Sequence, residues 1–345
     1  MIPIRFVYHK PIRIITIRGL IMGEAKFHLP GLRNNFPLNM MVINLLESDP
    51  EWFRDGVRIE SVYGEFPMSL WNGGRGSSDD QCNAEYVTNV IKTLNAHNVS
   101  VRLTFTNMTL TEYECEDPYC NFCLDEIAKD ERNAVIIFSP ILENYIRGKY
   151  PNMKMVSSTC KRLTDTDRVN EELEKPYSLV VLDYDFNNKF DALAKINHHD
   201  RCEILVNAIC TPNCPRRSDH YKNIAENQRI KLKNRNMPPE HQIPQKPWSC
   251  EYYKEGNYYK IKEYPTFVSP EAIFGKYSEE LGFHNFKIEG RTDNFFSLVE
   301  TYSNFLIKPE YQGLFRIKII DALVGNKLIT YMKPRPQRFV LPGKE

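Results

Sequence analysis

Eight times along this chain a short β-branched or apolar run gives way to a segment of helical periodicity, and that alternation restricts the fold more than any other feature. The runs at 26–29, 57–62, 101–105, 134–138, 153–156, 179–182, 203–206 and 283–288 have strand character. Helical segments follow at 39–46, 84–94, 122–128, 141–147, 168–173, 190–196, 220–228 and 294–307. The run 134–138, AVIIF, is wholly apolar, as expected of a strand covered on both faces. Eight such pairs are the number that closes a (β/α)8 TIM-like barrel, an α/β fold whose parallel strands are joined by right-handed helical crossovers. An open doubly wound sheet is the alternative, since strand order is not written in one sequence. No Gly-x-Gly-x-x-Gly follows an early strand, and Gly73, Gly74 and Gly76 have the wrong spacing for one.

A chain of 345 residues suits one large barrel domain with additions. Residues 1–22 are expected to form an N-terminal β extension, residues 23–325 the barrel, and residues 326–345 a tail in which 327–332 is β-rich. From 229 to 265 the pattern breaks: Pro238, Pro239, Pro244 and Pro247 forbid a long helix, and Trp248, Tyr252, Tyr253, Tyr258 and Tyr259 crowd together. This is read as a loop insertion after the seventh strand, of the kind that serves as a lid or binding loop. Lys and Arg total 45 against 44 Asp and Glu, so no global field draws the chain to nucleic acid or an anionic membrane. No apolar run reaches the roughly 18 residues a membrane span requires, and the first twenty residues alternate Ile with Arg and Lys instead of forming a signal-peptide core. A cytoplasmic protein is expected.

Barrel enzymes build their sites where strands end. The residues there include Glu60, Glu65, Thr106, Asn107, Ser139, Ser157, Ser158, Thr159, Asp185, Asn187 and Asn207. Single polar residues at such positions commonly cap helices and close turns. Asp183, His220, Lys287, Glu289 and Arg291 are the candidate catalytic groups, as acids, bases or holders of charge. The nine cysteines are odd in number and follow no secretory signal, so metal binding or burial explains them better than disulfides. Cys210 and Cys214 lie three residues apart in a proline-bounded turn, and the positive charge of Arg216 and Arg217 favours the ligating form. Together with Cys250 and Cys160 they would satisfy a 4Fe-4S cluster or, alternatively, a structural zinc. Cys115, Cys120 and Cys123 form a second, reserve group; Cys82 and Cys202 read as buried fillers.

The segment Phe286-Lys287-Ile288-Glu289-Gly290-Arg291, followed by a helix bearing Phe295, Phe296 and Tyr302, resembles the hallmark segment of peptidase family U-32. There a strand ending in Lys-Ile-Glu-Gly-Arg opens a helix with tyrosines. Residues 207–220 and 180–183 resemble the preceding parts of that family, and the resemblance spans about 153–306. Its members are called collagenase-like peptidases, yet others are iron–sulfur proteins that support oxygen-independent hydroxylation of RNA bases or of a quinone precursor. The resemblance implies cluster ligands at Cys210, Cys214 and Cys250, with no motif supplying a fourth. The shortened cysteine run and Gly-rich turn mark a divergent branch.

Three functions compete. The first is an iron–sulfur protein supporting hydroxylation, or a related modification, of an organic or RNA substrate. The second is a hydrolase acting on peptides, although no His-Glu-x-x-His helix and no local Ser, His and Asp constellation is present. The third is a non-enzymatic interaction protein whose tyrosines between 252 and 264 meet a protein partner. Near-neutral charge disfavours extensive RNA contact, and no membrane partner is expected.

Overall fold

The structure, a computed structural model, describes residues 24–74, 81–250, 258–290 and 295–329. Eight parallel strands close in sequence order: β1 (Ala25–Pro30), β2 (Val57–Gly64), β3 (Ser100–Phe105), β4 (Ala134–Ile137), β5 (Lys154–Ser157), β6 (Leu179–Val181), β7 (Cys202–Leu205) and β8 (Asn285–Lys287), with β8 returning to β1. The (β/α)8 barrel expected from the alternation is therefore the fold, and the open sheet is not. Between the strands run α1 (Phe36–Ser48), α2 (Ala84–Ala96), α3 (Pro118–Ile127), α4 (Pro140–Lys149), α5 (Thr166–Leu173) and the short α6 (Phe190–Leu193). Local chemistry starts them. Pro118 and Pro140 occupy first-turn positions where a missing N–H costs nothing, and Asn83, Asp117, Ser139 and Asp165 each accept a backbone N–H as N-caps.

The outward strand faces and the helices share one apolar core that includes Phe27, Phe105, Ile137, Phe283 and Phe286, all nearly or fully buried. After β8, α8 (Phe295–Leu306) and α9 (Gln312–Gly325) close the ring against α1, and the Tyr302 hydroxyl donates to Asn39 Oδ1 at 2.7 Å. No helix among the described residues is long and apolar enough to cross a membrane. The expected extension 1–22 lies outside the described residues, as does the tail beyond Ile329; residues 326–329 form a turn after α9.

One segment departs from the expected rhythm. The helix expected at 220–228 runs from Arg217 to Asn234 (α7), and it is not an outer barrel helix. The chain leaves the barrel after Asn207 and returns at Phe267, where the two form an antiparallel bridge. Val268 N–H donates to Val206 O at 2.9 Å, and Thr266 Oγ1 to Ala208 O at 2.7 Å. The excursion is thus larger than the expected 229–265 and contains α7 itself. Its outer-layer place is taken by Pro270–Ala272 and the π-helical Ile273–Glu280, whose Ile273 and Tyr277 are buried and whose Tyr277 ring meets Phe283 and Phe286 edge-on.

α7 instead crosses the carboxyl-terminal mouth of the barrel. Its far half reaches the loops after β2 and β3: Gln228 Nε2 donates to Ser69 O at 3.3 Å, and Arg229 to Thr109 O at 2.8 Å and to the Glu114 carboxylate. Gly74, at φ +87°, lets the β2 loop pass beneath; a Cβ there would stand 2.4 Å from Ile224 O. The helix RSDHYKNIAENQRIKLKN is polar on nearly every side, which suits a bridge over a cavity and not a packed outer layer.

Candidate active site

Inside the barrel, below the mouth, five strands each contribute a polar group to one buried network. Glu203 of β7, fully buried, pairs with Arg102 Nη1 of β3 at 2.6 Å and with Lys287 Nζ of β8 at 3.1 Å. His28 Nε2 of β1 stands 3.5 Å from the same carboxylate, and His28 Nδ1 shares a 2.8 Å hydrogen bond with Ser61 Oγ of β2. Burial by itself would raise the Glu203 carboxyl, but Lys287, with Arg102 beside it, more than reverses this and holds it at about 2. Burial and the neighbouring Arg102 push His28 well below its ordinary value, so it is neutral at pH 7. The neutralising charge on Glu203 accordingly comes from Lys287 and Arg102.

Lys287 joins this network to the space above. A cavity of about 430 Å³ lies between the strand ends and α7, within the range of small-molecule sites. Tyr63, Thr104, Leu205 and Lys287 line it from the strands; His220, Tyr221 and Ile224 line it from the α7 roof. Ser158, Thr159, Cys160, Asn207 and Glu289 complete the wall. The Lys287 ammonium sits 4.1 Å from the centroid of the Tyr63 ring, a cation–π contact that fixes its position.

The segment after β8 is pinned carbonyl by carbonyl. Tyr63 Oη donates to Ile288 O at 2.7 Å, and Asn35 Nδ2 donates to Gly290 O at 3.0 Å. The Asn207 amide pairs with both halves of the Glu289 peptide, accepting its N–H at 2.7 Å and donating to its carbonyl at 3.1 Å. Glu289, a residue of the cavity wall, is therefore held by its backbone, the rigidity a working group needs.

A second charge cluster anchors the roof. Arg217, the first residue of α7 and nearly fully buried, donates to Asp183 Oδ1 at 2.8 Å, to Asp185 Oδ1 at 3.0 Å and to Thr211 O at 2.8 Å. Arg162 reaches Asp183 Oδ2 at 2.5 Å and Asp185 Oδ2 at 3.2 Å, and the Arg217 guanidinium lies 3.9 Å from the centroid of the Tyr184 ring. Burial pushes the Asp183 carboxyl up; Asp185, despite its own burial, is held below its ordinary value by the Asn213 N–H and by Arg217.

Of the catalytic candidates, the structure brings Lys287, Glu289 and His220 to one cavity. Asp183 is buried inside the arginine clamp and does not line that cavity, so its position is that of an anchor. Arg291 lies outside the described residues. Cys160 lines the wall, Cys210 packs against the buried cluster that includes Ile136, Val181 and Leu205, Cys214 is buried ahead of α7, and Cys250 is half-buried beyond it. Among the described residues no three His, Cys, Asp or Glu side chains are grouped to hold a metal ion, and all four of these thiols are described. The structure therefore does not bring these thiols together as a ready-made 4Fe-4S or zinc site among the described residues. Burial pushes the reserve thiols Cys115, Cys120 and Cys123 up, and it pushes Cys202, expected to be a buried filler, to about 12.

Arg102, Glu203 and His28 lie within strands, away from the strand ends at which the candidate residues stand. The sequence nevertheless marks them. A charge inside SVRLTF or CEIL, in a sheet covered on both faces, has to point into the lumen and find a partner there.

No protein-family model and no curated sequence matches this chain. Among solved structures it is similar to the U32 peptidase Mk0906, at 12% identity and a TM-score of 0.49, over 81% of this chain and 98% of that one. It is more distantly similar to the C-terminal domain of a protein assigned as a chitinase from Desulfitobacterium hafniense, at 10% identity and a TM-score of 0.24, over 60% of this chain and 63% of the other. Likenesses at this level carry no argument about activity.

Proposed function

We propose that this barrel is an enzyme acting on a small polar organic molecule held in its roofed mouth. Lys287 would hold negative charge on the substrate, and His220 and Glu289 would move protons. One observation carries the reading: three groups able to do acid–base and electrostatic work, supplied by β8 and by α7, converge on a cavity of about 430 Å³ at the face where barrels of this kind catalyse. The fixed backbone of Glu289 and the Tyr63 contact of Lys287 support it further. Because α7 spans the opening, a free small molecule or a chain end fits better than an internal stretch of polypeptide. Hydroxylation through an iron–sulfur cluster would need at least three converging ligands, so no step here is routed through one.

A thermal-shift screen with small carboxylates, amino acids and dipeptides tests the proposal. At least one member should raise the melting temperature, with a gain of about 2.7 kcal/mol at a concentration near 100 times its Kd. Measured against each variant's own ligand-free midpoint, that gain should vanish in Lys287→Met and in His220→Ala. No stabilising member, or a gain of full size in both variants, overturns the proposal.

A further inference from the structure

The excursion carries a proline-punctuated strap, residues 243–249, laid along α7. Ile243 and Lys246 each precede a proline, which drives both into extended conformation. With Pro244 and Pro247 three apart, a polyproline II path presents the peptide groups of 243 and 246 on one side, about 9 Å from each other. On α7, Asn227 and Asn234 are seven residues and so about 10.5 Å apart, on the same face. The two spacings match. Asn227 accepts the Lys246 N–H at 2.7 Å and donates to its carbonyl at 2.9 Å; Asn234 accepts the Ile243 N–H at 2.9 Å and donates to its carbonyl at 2.7 Å. Lys246 Nζ meets Glu226 at 2.8 Å, and Arg216 donates to Ser249 O at 3.0 Å.

These contacts deliver one ring to one cavity-lining side chain. Trp248 lies parallel to His220, with ring centroids 5.0 Å apart and planes 6° apart, and the Arg216 guanidinium is 4.5 Å from the centroid of the same indole. Residues 239–247 of the excursion are exposed, so their packing alone gives little reason for so ordered a path. The indole Nε1 is shielded from water and has no hydrogen-bond partner among the described residues.

We infer that Trp248 is a positioning residue for His220: the asparagine-held strap fixes the plane of the imidazole at the cavity wall. This rests on the reading of the mouth as the reactive site. A ring left free to rotate spends little time in the orientation that proton transfer requires; a stacked one is pre-oriented.

Trp248 itself supplies the readout, because a protonated imidazole stacked on an excited indole quenches it. The Trp248 contribution is the difference in emission between the natural chain and Trp248→Phe, followed across about pH 5 to 8, where an imidazole titrates. It should fall as pH falls, and it should be flat in His220→Gln. Lys287, Glu289, Cys160 and Tyr221 line the same cavity as His220, and Asp219 and Arg216 lie within one turn of it at the start of α7; the signal itself is assigned to His220 by its loss in His220→Gln. For a ligand found in the thermal-shift screen, Trp248→Ala should weaken affinity about tenfold, the upper end for one aromatic stack. Trp248→Phe should restore most of it, and Asn227→Ala with Asn234→Ala should reproduce the loss. Emission with the same pH response in His220→Gln, or affinity untouched by Trp248→Ala, overturns the inference. Absence of any ligand counts against the mouth reading alone, since the quenching signal needs none.

Discussion

Replacing Glu203 with glutamine should destabilise the folded chain by about 3–5 kcal/mol, the cost of stranding buried charge. The carboxylate neutralises Arg102 and Lys287, whose side chains are themselves only 8% exposed. Without it, the two cations lose the carboxylate they share in the lumen. The acid limb of stability should change as well. Glu203 is held at about 2 against an ordinary 4.5, so its contribution is complete above about pH 4.5 and is lost as pH falls toward 2. For His28 the folded value is also below the unfolded one; protons taken up by the unfolded chain therefore begin to draw stability down as pH falls through its ordinary 6.5. Urea unfolding followed from pH 7 to pH 3 should show both steps in the natural chain, and the lower step should be lost in Glu203→Gln. A variant within 1 kcal/mol of the natural chain, with an unchanged acid limb, would contradict the network.

Arg217→Ala should cost about 3 kcal/mol, near the low end for a broken buried pair because Arg162 stays on both carboxylates. The loss has a location. Arg217 ties the start of α7 to Asp183 and Asp185, whereas the far end is held separately through Gln228 and Arg229. Hydrogen exchange should therefore accelerate at the first turns of α7, around His220, while the central barrel strands keep their protection. Uniform loss of protection through β3, β4 and α7 together would mean that the clamp holds the barrel and not its roof.

Much of the architecture was legible because it is written locally. Each strand run lies within a few residues of an observed strand, from AKFHLP at β1 to NFK at β8, and Asn83, Asp117, Ser139 and Asp165 announce their helices. What escaped depends on distant pairings. The path of α7 is set by Arg217 meeting carboxylates more than thirty positions earlier and by Arg229 meeting Glu114, neither of which periodicity encodes. The polar sequence of α7 was the available hint that it does not pack as an outer helix. The stretch 270–280 carries no clear helical signal in the sequence because the π-helical winding of Ile273–Glu280 departs from a 3.6-residue repeat.

The candidate site was half visible for the same reason. Lys287, Glu289 and His220 stand near strand ends, where a barrel puts chemistry, and they meet in one cavity. Cys210 and Cys214 are neighbours in sequence, yet Cys214 is buried ahead of α7 and Cys250 lies at the end of the strap. Three-dimensional convergence of ligands is a tertiary property, and spacing within one loop does not supply it.

The most direct test of the central claim is a calorimetric titration of the best stabilising ligand into Ile224→Trp. Ile224 lines the cavity from the roof, and an indole there would take up its space while leaving Lys287 and the residues of the lumen network unchanged. The account predicts that the variant stays folded and that binding heat disappears. Binding with unchanged affinity would place the ligand elsewhere and contradict the assignment of the roofed mouth as the site.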